Sequence, residues 1–185
     1  MENKGFTLIE LLIVIGIISI LAAVTLLVLN PAQMLRKARD SQRLQDLDTL
    51  ASAISLYLAE VESPVLDEYG SCGSDIWCSH SGPAICTQAT TSRDVDGTGW
   101  VPINFATTTL STGAPFGSLP IDPTNDSTHL YMYACDSSNG AFELNAKLES
   151  TYYKDTKDFD GKDGGNDNDT YEKGNDPGLD LIGDW

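Results

Sequence analysis

From Phe6 to Leu29 the chain is apolar at every position but four, and the exceptions are Thr7, Glu10, Ser19 and Thr25. As a helix, these 24 residues rise about 36 Å, enough to cross a hydrocarbon core of about 30 Å with some tilt. The pattern then changes. Pro31 lacks the amide needed to continue the ladder and biases Asn30 away from helical backbone, so a joint is predicted there. Beyond it, Leu44, Leu47, Ala51, Ile54, Leu58 and Val61 recur at spacings of three and four. That spacing places one apolar stripe along an amphipathic helix over 30–62. Arg43, Asp46, Asp48 and Glu60 fall off the stripe, and Pro64 marks the end.

The next stretch, 63–150, is rich in Gly, Ser, Thr and Pro. Its clearest unit is HLYMYACDSSNGAFELNAKLES, two alternating runs joined through Asn139-Gly140, a strong hairpin signal. Phe142, Leu144, Ala146 and Leu148 share one face, and Glu143, Asn145, Lys147 and Glu149 the other. Alternation of this kind predicts a half-buried antiparallel sheet whose apolar face packs on the helix stripe. DVDGTGWVPINF suggests a tight turn leading into a third strand. The predicted class is α+β: a long N-terminal helix, half membrane-spanning and half amphipathic, packed on a small sheet.

Composition adds a sign. The formal charge of −16, from 27 acids against 11 bases, argues against nucleic acid as a partner, because no positive field exists to release counterions. Charge is also unevenly placed. Arg36, Lys37, Arg39 and Arg43 cluster just after the apolar run, whereas residues 151–185 hold ten acids and four bases.

The apolar run is too long for a secretory-signal core, and the polar leader before it includes Lys4. Lys4-Gly5-Phe6-Thr7-Leu8-Ile9-Glu10-Leu11-Leu12-Ile13-Val14 resembles the processing and assembly signal of type IV prepilins and type II secretion pseudopilins. The resemblance implies a leader at 1–5, cleavage between Gly5 and Phe6 by a prepilin peptidase, and N-methylation of Phe6. It further implies assembly of subunits into a helical filament through the 6–29 helix, as a pilus or, alternatively, as the major pseudopilin of a secretion system. Partners on this reading are further copies of the chain, the inner membrane before assembly, the peptidase and an assembly platform. Glu10 then gains a role. Cleavage creates an α-amine on Phe6 with a reference pKa near 7.7–8, and a carboxylate in apolar surroundings needs such a cation. Either the same chain's amine or a neighbour's would serve, and the neighbour's would fix the register between subunits. The family also implies that the joint near Pro31 can melt in a filament. LPIDPTN with Tyr131-Met132-Tyr133 resembles the Pro-Asp-Pro loop and Tyr-x-Tyr strand of pseudopilin heads.

Cys72, Cys78, Cys86 and Cys135 all lie beyond residue 63. An even count in an exported chain favours two disulfides; of three possible arrangements the expected one pairs Cys72 with Cys78, closing a small loop, and Cys86 with Cys135, tying the irregular segment to the hairpin strand. A zinc site lacks the paired spacings it needs. Disulfides require the head outside the cytoplasm. The basic cluster argues the other way by the positive-inside rule, but that rule weakens for long domains. The cluster then needs acids to pair with, such as Asp46, Asp48 or the head acids of a neighbouring subunit. The expected location is a single-pass inner-membrane precursor, then a periplasmic or extracellular filament.

The segment 151–185 admits two readings: a disordered acidic stretch, or a loop that wraps calcium with Asp158, Asp160 and Asp163. It is not an EF-hand, since Lys162 occupies a ligand position. Some pseudopilins carry a calcium loop in this part of the head. As for catalysis, the two histidines, His80 and His129, sit in no catalytic motif, and G-x-S-x-G is absent. A membrane-anchored hydrolase and a filament-borne adhesin presenting Trp77, Trp100 and Trp185 are the remaining classes.

Overall fold

The computed structural model describes residues 5–106, 114–183 and 185. Met1 to Lys4 of the leader, and 107–113 of the head, lie outside the described residues. The chain divides after Arg36 into two units.

In the first unit, α1 (Leu8–Leu29) runs for 22 residues. It is the one helix, among the described residues, long and apolar enough to cross a membrane. Every described side chain on it is exposed. Its interior hydroxyls are spent on its own backbone, Ser19 donating to the Ile15 carbonyl and Thr25 to that of Leu21, each at 2.7 Å. Such back-bonding lets a polar side chain sit in an apolar helix without a stranded donor. α1 ends at Asn30, which takes the left-handed conformation (φ 40°, ψ 73°). α2 (Pro31–Glu60) starts at the next residue. Pro31 suits that first position because its missing amide would have had no helical acceptor. The Asn30 carbonyl accepts the amides of Gln33 and Met34 at 3.0 and 3.3 Å.

In the second unit a five-stranded sheet packs on α2. The strands are β1 (Trp77–Cys78), β2 (Gln88–Ala89), β3 (Tyr131–Asp136), β4 (Ala141–Ala146) and β5 (Tyr171–Gly174). They lie in the order β2-β1-β3-β4-β5, antiparallel except for β1 with β2. The foreseen hairpin is β3–β4, with Gly140 at φ 64° in its turn. The segment expected to form a third strand makes only an isolated bridge, Asp96 to Asn104. Its apolar residues Trp100, Val101, Ile103 and Phe105 instead fill the core between helix and sheet.

The helix stripe is rotated from the expected one. Leu47, Ala51 and Ile54 are buried, joined by Leu50, Ala53 and Tyr57, while Leu58 and Val61 pack at the margin. On the sheet, Tyr131, Tyr133, Phe142, Leu144 and Ala146 face this core.

The half-buried sheet must be corrected. All six residues of β4 are buried, Glu143 and Asn145 included. The acidic segment beyond residue 150 supplies the cover. It adds β5 to the sheet edge and then brings Leu181, Ile182 and Trp185 against Cys78, Leu130, Met132 and Ala134 on the outer face. Disorder is therefore not the state of this segment: residues 151–183 form a π-helical turn (Tyr152–Thr156), a wound loop, a strand and a covering segment.

The disulfides join Cys72 to Cys135 and Cys78 to Cys86. The expected pairing of Cys72 with Cys78 and of Cys86 with Cys135 fails on strand parity. Cys78 stands opposite Met132 and shares its outer face, whereas Cys135, an odd number of residues further along β3, points to the helix side with Cys72.

Candidate functional site

Three groups of the predicted residues can be placed. The first is the start of α1. Gly5 has open space around it, and Phe6 is 86% exposed. Thr7 is the N-cap, its backbone extended at φ −81° and ψ 153°. Its Oγ1 accepts the Glu10 amide at 3.3 Å, and one Glu10 oxygen accepts from the Thr7 amide at 2.8 Å and the Thr7 hydroxyl at 2.7 Å. This reciprocal capping box satisfies donors that the first helical turn otherwise leaves free. With the Gly5–Phe6 peptide intact no α-amine exists at Phe6, and the Glu10 carboxylate is occupied within its own turn. Thr7 is the functional residue that the sequence reading passed over, although Thr-x-x-Glu before an apolar run is the signature of such a cap.

The second group is the basic cluster, of which Arg43 and in part Arg39 turn inward while Arg36 and Lys37 stay exposed. Arg43 lies off the apolar stripe, yet its side chain is fully buried. Its Nε and Nη2 donate to the two oxygens of Asp122 at 2.6 and 2.8 Å, and its Nη1 meets Asp40 at 2.8 Å and Glu149 at 2.7 Å. Asp40 in turn accepts the backbone amides of Glu149 and Ser150 at 2.9 and 2.7 Å. Arg39 forks onto Glu149 through Nε, at 2.8 Å, and Nη2. Five charged side chains thus clamp α2 to the Pro120-Ile121-Asp122-Pro123 loop and to the chain leaving β4. Lys37 sits 3.5 Å over the Tyr152 ring. The acids proposed as partners for this cluster are otherwise engaged: Asp46 accepts from Tyr131 and Asp48 pairs with Lys173, each at 2.8 Å.

Burial works against the Arg43 cation, but its bonds to Asp122, Glu149 and Asp40 outweigh that and hold its pKa above the usual value. Glu149 is held down to about 2, first by its bond to Arg39 and then, against desolvation, by Arg43. An acid depressed in the folded state contributes stability above its unfolded pKa and loses it as pH falls through the folded value. Stability is therefore expected to fall between about pH 4.5 and 2. Arg39→Gln should lower stability at neutral pH and flatten that acid limb, as read from urea midpoints across the range. An unchanged limb would mean that Glu149 does not carry it.

The third group is the acidic loop between β4 and β5. Asp158, at φ 55°, pairs with Lys162 at 2.9 Å. Asp160 is 3% exposed, with Oδ2 unpartnered. The Asp163 oxygens accept the amides of Gly165 and Glu172 at 3.1 and 2.7 Å. These three carboxylates do not converge. Among the described residues, the one set of three acidic, thiol or imidazole groups with ligand atoms within 4.8 Å of one another is Asp67, Cys72 and Cys135, and both sulfurs there belong to a disulfide. As a three-carboxylate calcium set, Asp158, Asp160 and Asp163 do not fit.

Residues 1–26 match the family model described as the prokaryotic N-terminal methylation motif. No curated protein and no solved structure matches the chain. The matched stretch holds the Gly5-Phe6 junction, the Thr7–Glu10 capping box and most of the exposed apolar helix. At its N-terminus the chain therefore carries the methylation motif typical of type IV pilin and pseudopilin precursors.

Proposed function

We propose that this chain is a structural subunit of a type IV pilus-like filament, processed between Gly5 and Phe6 and assembled through α1. The observation that carries the reading is α1 itself: a 22-residue apolar helix, exposed at every described side chain, with one acid in its first turn. A surface of that kind is stable only in lipid or against other apolar helices. A filament offers the second environment after the membrane has offered the first. No catalytic role is assigned, and the buried ionic cluster works as a structural clamp. The two disulfides suit a head that lies outside the cytoplasm.

Glu10 gives the assembly step its chemistry. Cleavage exposes a Phe6 amine one residue from Thr7, and the carboxylate that capped its own turn then has a cation to meet. A neighbour's amine would draw Glu10 from an intramolecular cap to an intersubunit pair.

The test begins with mass spectrometry of sheared surface filaments. Phe6 should be the N-terminus, carrying a methyl group, and Gly5→Val should leave the leader attached. Glu10→Ala as the sole subunit should still insert and be cleaved, while filament yield per membrane-bound subunit falls to background. Normal yield would remove Glu10 from assembly, and Met1 on assembled subunits would refute the processing. Filaments confined to the periplasm would identify the chain as a pseudopilin instead.

A further inference from the structure

The outer face of β4 and β5 buries more negative charge than the described residues balance. Glu143 and Asn145 project there from β4, and Glu172 on β5 stands opposite Asn145 in register. Glu143 and Asn145 are fully buried, and Glu172 is 1% exposed. One oxygen of each carboxylate is taken up by backbone. Glu143 Oε2 accepts the amides of Leu181 and Ile182 at 2.7 and 3.1 Å, and Glu172 Oε2 accepts that of Asp167 at 3.1 Å. The other oxygens, Oε1 of Glu143 and Oε1 of Glu172, are buried without a hydrogen-bond partner, as are both Oδ1 and Nδ2 of Asn145.

Asn145 and Glu172 face each other across β4 and β5, and Glu143 stands two residues along β4 on the same face, so the three buried side chains are neighbours. The Asp163 carboxylate, which accepts the Glu172 amide, adds charge of the same sign. The lysines of this region are engaged elsewhere: Lys154 with Asp169, Lys162 with Asp158, Lys173 with Asp48, and Lys147 with the Trp185 carbonyl. Desolvation, with the charges of Glu143 and Asp163, pushes the Glu172 carboxyl up to about 8. Burying a like-charged pair costs free energy unless a counter-charge is supplied.

We propose that Glu143, Glu172 and Asn145 ligate one hard divalent cation of the calcium type, held between β4 and β5 beneath Leu181 and Ile182. The donors are all oxygen, two carboxylates and an amide, which selects a hard ion over zinc or copper. Calcium accepts the irregular geometry that strand side chains and backbone offer, whereas magnesium requires a stricter octahedron and gives up its water reluctantly. The site is separate from the Asp158–Asp163 loop, and it holds whether or not the chain builds a filament. Its consequence is mechanical. Glu143 would bind the ion through Oε1 while its Oε2 holds the Leu181 and Ile182 amides, so the ion fastens the covering segment to the sheet.

The experiment uses the full chain in detergent, stripped with a chelator and titrated with calcium, with magnesium in parallel. Calcium should raise the melting temperature and slow hydrogen exchange of the Leu181 and Ile182 amides. Magnesium should do so far less. Glu172→Gln and Glu143→Gln keep volume while removing charge, and each should weaken calcium binding by about tenfold or more. Asp155→Asn, at an exposed position, should bind as the parent does. Should one of the two glutamine variants fail to fold, the other must still lose calcium. Two results overturn the proposal. In one, Asp158→Asn abolishes binding while Glu172→Gln retains it, which places the ion in the loop. In the other, calcium has no effect and Glu172→Gln melts higher than the parent, which shows a carboxyl pair sharing a proton.

Discussion

Arg43→Met is expected to lower the melting temperature of the second unit by about 10 °C or more, the largest effect of any single substitution outside the hydrophobic core. The guanidinium is fully buried and meets three carboxylates, Asp40, Asp122 and Glu149. Methionine fills much of the volume and removes all of the charge. Breaking a buried ion pair from one side costs about 3–5 kcal/mol, because the remaining carboxylates stay desolvated without a counter-ion. For a unit of this size, 1 kcal/mol corresponds to roughly 2–4 °C. Arg43→Lys should recover only part of the loss, since an ammonium cannot fork onto both oxygens of Asp122 while reaching Asp40 and Glu149. Near-ultraviolet circular dichroism melts provide the measurement. A shift of about 2 °C or less for Arg43→Met would show that water reaches these carboxylates.

The second large effect concerns the disulfides, which should differ in worth. Cys72–Cys135 closes 63 residues and Cys78–Cys86 closes 8. On the chain-entropy account, the first constrains the unfolded state by about 4 kcal/mol and the second by about 2.5 kcal/mol. Cys72→Ala with Cys135→Ala should therefore lower the urea midpoint more than Cys78→Ala with Cys86→Ala. The long bridge also ties the chain before β1 to the helix-facing side of β3, so its loss loosens the main core. Equal midpoints for the two double variants would mean that chain entropy is not the controlling term.

Much of this architecture is legible in the sequence, and what is hidden is hidden for identifiable reasons. α2 and the β3–β4 hairpin each carry a periodic signal, α1 a near-continuous apolar run, and the break at Asn30-Pro31 follows from the proline ring. The start-of-helix motif is legible because each of its residues has a chemical task. By contrast, β1 and β2 are two residues each, too short for any alternation to register. β5 reads Tyr-Glu-Lys-Gly, so half of its residues are charged and its surroundings look like a solvated tail.

Arg43 misleads for a related reason. A charged residue off the apolar stripe is ordinarily solvated, and its main partner, Asp122, lies 79 residues away. Nothing local announces that partner. The burial of Glu143 and Asn145 is invisible for the same cause: β4 alternates as an exposed strand does, and only the later return of the chain covers its polar face. The cysteine pairing needed the register of β1 on β3, which four positions in a sequence do not contain.

The sheet ends on one side in β2, two exposed residues, and on the other in β5, four residues closing at Gly174. Neither border offers the long, flat row of free amides and carbonyls on which a foreign strand could add. Crowding is where such rows do harm, since templated cross-β growth becomes faster as local concentration rises. The sheet therefore gives a neighbouring copy of this head no long edge to add to, and any cohesion between copies would fall to other surfaces.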